Sequence, residues 1–119
     1  MLSSILLMAI MGTTAECKQG MRDDPVLIVK DSRKHYIYFL PSEMQLCENY
    51  KELFLSGVVN RVCGCKIVKS NDLDDRLRLK CLERRRGVLK SKTVATYYYY
   101  PAVTKSCLKL RNHLMFKAK

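Results

Sequence analysis

The side chains of this chain best equipped for chemistry are its six cysteines, Cys17, Cys47, Cys63, Cys65, Cys81 and Cys107. A thiol can act as a nucleophile, bind a soft metal or oxidise to a disulfide. A nucleophile needs a base. The two histidines, His35 and His113, fall in a strand-like run and in a polar tail, so neither a Cys/His pair nor a histidine metal triad can be assembled. Cys-x-Cys at 63 and 65 has the form of half a zinc site, and Asp72, Asp74 and Asp75 share one loop, which lacks the glycine and terminal glutamate of a calcium loop. In an oxidising compartment an even cysteine count points instead to disulfides. The protein is therefore read as non-enzymatic, with no catalytic residue, no cofactor and no metal.

The N-terminus indicates such a compartment. Residues 1–15 carry no charged side chain, run apolar from Ile5 to Met11 and end in the small residues Thr13-Thr14-Ala15, the pattern of a secretory signal peptide. Cleavage is expected after Ala15. The apolar run falls short of the roughly 20 residues that span a bilayer, as does every later segment. Residues 16–119 then form a single secreted domain containing all six cysteines. Disulfides would supplement a core of modest size. Spacing alone does not choose the pairing, although Cys63 and Cys65 are too close together to bond to each other.

The elements that must position these thiols read as mostly β. Pro25 to Lys30 and His35 to Leu40 are branched and aromatic runs separated by the polar turn Asp31-Ser32-Arg33-Lys34, which predicts a first hairpin. Ser42 stands three residues before Gln45, a capping-box spacing, and Met44, Cys47, Tyr50 and Phe54 recur at helical steps as far as Ser56-Gly57. One helix of about three turns is predicted there. In Arg76-Leu77-Arg78-Leu79-Lys80-Cys81 every second residue is apolar or a thiol. The pattern breaks from Glu83 to Gly87 and resumes from Val88 to Tyr100, so a long second hairpin is predicted with a third strand leading into it. Gly87 supplies the turn.

Cys-x-Cys, a polar loop, Arg-Leu-Arg-Leu-Lys-Cys, a glycine turn, then Thr-Val-Ala-Thr-Tyr-Tyr-Tyr-Tyr and a cysteine resembles the second finger of the C-terminal cystine-knot family of secreted ligands, its norrin-like members above all. The resemblance covers Cys63 to Leu110. It implies a cystine-knot-like fold of two β-hairpin fingers joined by one short helix. The family's Cys-x-Gly-x-Cys and terminal Cys-x-Cys are missing, since Cys47 is followed by Glu48-Asn49-Tyr50 and Cys107 by Leu108-Lys109-Leu110, so the closed ring of the knot cannot be built. By position, the resemblance implies Cys17 bonded to Cys65 and Cys47 to Cys107. Cys63 would be placed for a bridge to a second chain, with a Cys63 to Cys81 pair as the competing assignment.

Charge adds a second indication. Twenty-two Lys and Arg against eleven Asp and Glu give a net +11, an attraction for polyanions that outside the cell are chiefly sulfated glycans or anionic lipid head groups. Cations cluster at Lys66 and Lys69, at Arg84, Arg85 and Arg86, at Lys90 and Lys92, at Lys105, Lys109 and Arg111, and at Lys117 and Lys119, which on a hairpin would form a basic stripe. Nucleic acid is not expected, because the export signal leads elsewhere and no nucleic-acid-binding motif is present. In a strand Tyr97 and Tyr99 face one side, while Tyr98 and Tyr100 face the other and are free to serve as interface anchors. Pro101 should then end the ladder.

The expected function is that of a secreted signalling ligand of hormone, cytokine or growth-factor type, or of a growth-factor antagonist. It would bind a receptor ectodomain or another secreted factor, act as a dimer, and bind glycans through its basic surface. Tyr98, Tyr100, Arg84, Arg85, Arg86, Lys90 and Lys92 are the expected contacts. A cationic disulfide-rich effector, a toxin or host-defence protein acting on membranes or channels, is the alternative that charge and cysteines also allow.

Overall fold

The computed structural model describes residues 12–20, 23–69 and 75–116. Among them the chain forms β1 (Thr14–Gln19), β2 (Pro25–Lys30), β3 (Lys34–Tyr38), α1 (Met44–Leu55), β4 (Arg61–Val68), β5 (Arg76–Arg85), β6 (Val88–Tyr98) and α2 (Pro101–Phe116). The fold is mostly β, with two antiparallel three-stranded sheets ordered β1-β2-β3 and β4-β5-β6. The expected first hairpin is β2–β3, joined at a turn where the Asp31 carboxylate accepts a hydrogen bond from the Arg33 N–H at 2.8 Å. β1 adds a third strand to it, with Cys17 opposite Leu27. The long second hairpin is β5–β6, and β4 is the strand leading into it.

β4 is the centre of the molecule. Val62, Cys63, Gly64 and Cys65 are all buried. Successive strand residues point to opposite faces, so both faces of β4 are covered there. Gly64 faces the first sheet, and a Cβ at that position would collide with the Tyr38 carbonyl oxygen and come within 3.0 Å of Ile37 Cγ2. Cys65 points the other way, toward α2, to which it is bonded through Cys107. Leu27, Val29, Ile37, Phe39 and Phe54 build the core on the first side of β4, and Leu77, Leu79, Leu82 and Met115 belong to the same buried cluster.

Two expectations about the helices are corrected. Ser42 does not form a capping box. Its φ of 68° places it in the left-handed turn before the helix, the N-cap residue is Glu43, and no side chain caps the N-terminus. The Glu43 carboxylate instead accepts the Leu40 N–H at 3.0 Å. The segment after Tyr100 is no polar tail. Pro101 ends the β ladder by opening α2, at a position where its missing N–H costs nothing. Cys107, Arg111 and Met115 then form a buried stripe at four-residue steps.

Residues 1–11, the greater part of the expected signal peptide, lie outside the described residues, whereas Thr14 and Ala15 begin β1 opposite Lys30 and Val29. No helix among the described residues is long and apolar enough to cross a membrane.

Candidate binding surface on the second sheet

Three disulfides hold the sheets and helices together: Cys17–Cys47 from β1 to α1, Cys63–Cys81 between β4 and β5, and Cys65–Cys107 from β4 to α2. The pairing implied by the cystine-knot resemblance, Cys17 with Cys65 and Cys47 with Cys107, is therefore overturned. α2 lies against the β4 face that carries Cys65, which gives Cys107 to that thiol and leaves Cys47, on α1, for Cys17. The competing Cys63–Cys81 assignment is the one found. These residues are directly opposite in the ladder, with Cα atoms 4.1 Å apart. Cys63 is fully buried and no cysteine is free, so the expected interchain bridge at Cys63 is also ruled out. The same bonds remove the thiols of a Cys63/Cys65 zinc site.

The other chemically capable residues are dispersed. His35 is buried on β3, 3.7 Å from Asp31, and His113 lies exposed on α2. Asp75 pairs with Lys69 at 3.0 Å, while Asp72 and Asp74 lie outside the described residues. Among the described residues no group of three or more His, Cys, Asp or Glu side chains could hold a metal ion.

The surface residues singled out from sequence divide by face, because residues directly opposite in a ladder share one. A bulge at Val94 sets the division: Leu79 pairs with Ala95 but Lys80 pairs with Thr93, leaving Val94 without a partner. As a result Lys90 and Lys92 lie opposite Glu83 and Cys81, on the face toward α2, and Arg85 joins them opposite Val88. Tyr98 lies opposite Arg76 on the other face, about 20 Å from Lys92 along the strand. The expected contact residues thus form two groups rather than one, with Arg85, Lys90 and Lys92 on one face and Tyr98 on the other. Tyr98 and Tyr100 are 63% and 58% exposed, and Tyr97 and Tyr99 pack against the core, as the alternation predicted.

Two arginines expected at the surface turn inward. Arg84 stacks on the Phe54 ring with its guanidinium carbon 4.1 Å from the centroid and donates to the Phe54 carbonyl at 2.9 Å, and burial lowers its pKa. Arg111 is buried and bonded to Glu43 at 3.1 Å, so it leaves the basic cluster of Lys105 and Lys109. The hairpin tip is Arg86-Gly87, both at positive φ (54° and 78°). Behind it Glu83 accepts from Arg61 at 3.2 Å, a hydrogen bond that holds its carboxyl below the usual value.

Of the cations that the fold does gather, the sequence shows Arg76, Arg78 and Lys80 only as the polar alternates of a strand, and Lys66 as a neighbour of Lys69. Arg76, Arg78 and Lys80 occupy one face of β5, and Lys66 of β4 lies directly opposite Arg78. Thr96 and Thr93 of β6 flank Arg78 and Lys80. The Lys66 ammonium sits 3.7 Å from the Tyr38 ring centroid, and the Arg76 guanidinium 4.1 Å from that of Tyr98. Beside Lys66 a cleft of about 430 Å³ is lined by Tyr36, Tyr38, Val26, Asp24 and Lys69 among others. The alternation Arg-x-Arg-x-Lys was a legible signal, but nothing in it could say that Lys66 stands across from it.

Compared with protein-family models, with curated proteins and with solved structures, the chain matches none.

Proposed function

We propose that this chain is a secreted, non-enzymatic binding protein, a signalling ligand or ligand antagonist, that engages a receptor ectodomain or another secreted factor through the β6 edge and the tyrosines at its end. The observation that carries the proposal is β6 itself. It is an 11-residue strand paired on one side to β5 and, among the described residues, to no strand on the other, and it ends at exposed Tyr98 with exposed Tyr100 beyond. An open edge offers main-chain hydrogen bonds to an extended partner segment, and exposed tyrosines supply contact area with little conformational entropy to lose. Three disulfides hold the surface in one shape before binding, which lowers the cost of association. The resemblance to cystine-knot ligands lends no support, since Cys17 pairs with Cys47 and the four later cysteines pair among themselves, which the family's finger framework does not allow. A dimer, if formed, is non-covalent.

Production with the native N-terminus in a secretory host, followed by cell-surface binding of the labelled product, tests the proposal. The expected product appears in the medium beginning at Glu16, is oxidised at all six cysteines and binds saturably to cells stripped of their glycans. Tyr98→Ala with Tyr100→Ala should weaken that binding at least tenfold, the scale of an interface hot spot. Retention inside the cell overturns the reading. So does a product that shows no saturable binding and instead releases dye from anionic vesicles, which is the behaviour of a cationic effector.

A further inference from the structure

We infer that the β4–β5–β6 face carrying Lys66, Arg76, Arg78 and Lys80 is a binding site for a linear sulfated glycan. This assignment rests on reading the chain as an extracellular protein, and it places the glycan site away from Arg85, Lys90 and Lys92, on the opposite face of the sheet.

The first argument is the layout. Arg76, Arg78 and Lys80 follow one another at every second residue of β5, so their Cα atoms advance in steps of about 7 Å. Lys66 stands directly across from Arg78, and the hydroxyls of Thr93 and Thr96 continue the same rows on β6. This is a row of cations with hydroxyl neighbours, suited to a chain whose charges also repeat along a line.

The second argument is electrostatic. Like charges directly opposite in a ladder destabilise a sheet, and Lys66 across from Arg78 is such a pair. Among the described residues, Arg78 and Lys80 have no ion-pair partner. Some cations elsewhere are paired, as in Arg61 with Glu83, Lys51 with Glu48 and Arg111 with Glu43. The nearest acid on β5, Glu83, lies in the opposite phase of the strand and is held by Arg61 and Arg85. A polyvalent anion supplies the counter-charge that Arg78 and Lys80 do not receive from the described residues.

The third argument is what adjoins the row. The same face of β5 is covered by α1 at its Arg84 end, where Phe54 packs, and is exposed at Arg78, with Arg76 and Lys80 half-buried on either side. Next to Lys66 the cleft presents Tyr36 and Tyr38, with ring centroids 6.5 Å apart and planes within 18°. Aromatic faces of this kind accommodate the apolar face of a sugar ring. Asp24, also in the lining, disfavours a sulfate deep in the cleft and leaves the sulfates to the row.

Titration calorimetry of the purified, oxidised protein with a heparin-derived decasaccharide, repeated over a range of salt concentrations, tests the site. Arg78→Gln with Lys80→Gln should lower the affinity at least tenfold and reduce the slope of log K against log salt by about two, one for each lost cation that had displaced a counterion. Lys105→Gln with Lys109→Gln removes the same charge from exposed positions of α2, on the other side of β4, and should change the affinity less than twofold. Without saccharide, Arg78→Gln with Lys80→Gln should melt at or above the wild-type temperature, which separates a lost site from a lost fold. Equal losses from the two pairs would show that bulk charge alone is at work and overturn the assignment. It is equally overturned if Arg78→Gln with Lys80→Gln has no effect, or if anionic vesicles or single-stranded DNA of matched charge bind as tightly with the same dependence on Arg78 and Lys80. Because the measurement uses purified protein, its failure is distinguishable from a failure of export or of cell-surface binding.

Discussion

Arg111 is the residue whose role depends most on its surroundings. Its guanidinium is buried on α2, donates to both carboxylate oxygens of Glu43 at 3.1 and 3.3 Å, and lies 5.7 Å from the Tyr50 ring. Tyr50 in turn donates to Asn112 at 3.3 Å, so α1 and α2 are joined by a small polar network at the edge of the core. Burial is the leading cause that raises the Tyr50 pKa, opposed by Arg111, and the phenol stays neutral. A buried charge that loses its partner costs far more than the pair contributes over an apolar substitute. Glu43→Ala should therefore destabilise the protein by about 3 kcal/mol, the lower part of the range for a broken buried pair because Glu43 retains some exposure. Chemical denaturation measures this, and a loss below about 1 kcal/mol would mean that the pair behaves like an ordinary surface contact.

Among the elements, the β5–β6 hairpin combines a tight turn with a bulge. Arg86 and Gly87 both take positive φ, the two-residue turn whose twist matches that of the flanking strands. Gly87 suits it, whereas Arg86 carries a Cβ into the left-handed region. Arg86→Asn should stabilise the protein by roughly 0.5–1 kcal/mol and raise its melting temperature, since Asn-Gly is the preferred pair for this turn. A lower melting temperature would show that the Arg86 side chain makes a contact that outweighs the backbone strain. The bulge at Val94 has a larger consequence. It shifts the phase of β6 by one residue, and by doing so separates Lys90 and Lys92 from the Tyr98 face.

At the scale of the whole molecule, the approach of the two sheets is set at Gly64. The first sheet meets β4 so closely there that no side chain fits against the Tyr38 carbonyl, and backbone cannot yield as the end of a flexible side chain can. Gly64→Ala should cost about 2–3 kcal/mol, the upper part of the range for overpacking, by forcing β3 away from β4. Because Lys66 follows on the same face of β4, this variant should also disturb its contact with Tyr38 and weaken decasaccharide binding, whereas Arg86→Asn should not. Denaturation paired with the binding titration measures both effects, and a Gly64→Ala protein of wild-type stability would mean that the sheets are free to separate.

Much of the architecture was legible because it follows from local periodicity. The alternation in β2, β3, β5 and β6, the apolar steps of α1 and the glycine at the hairpin turn are short-range patterns, and each element formed within about two residues of its pattern, β3 ending at Tyr38, β5 running on to Arg85 and β6 ending at Tyr98. α2 was obscured because an arginine occupies its buried stripe, which is acceptable only where Glu43 arrives from another part of the chain. β1 was obscured because Thr14 and Ala15 also fit the end of a signal peptide. The sequence by itself determined the charge, the six thiols and the strand and helix periods. Tertiary structure alone decided which thiols meet, on which face each cation lies and what stands opposite Arg78, because those depend on contacts between residues far apart in the chain and on a one-residue bulge that has no local signature.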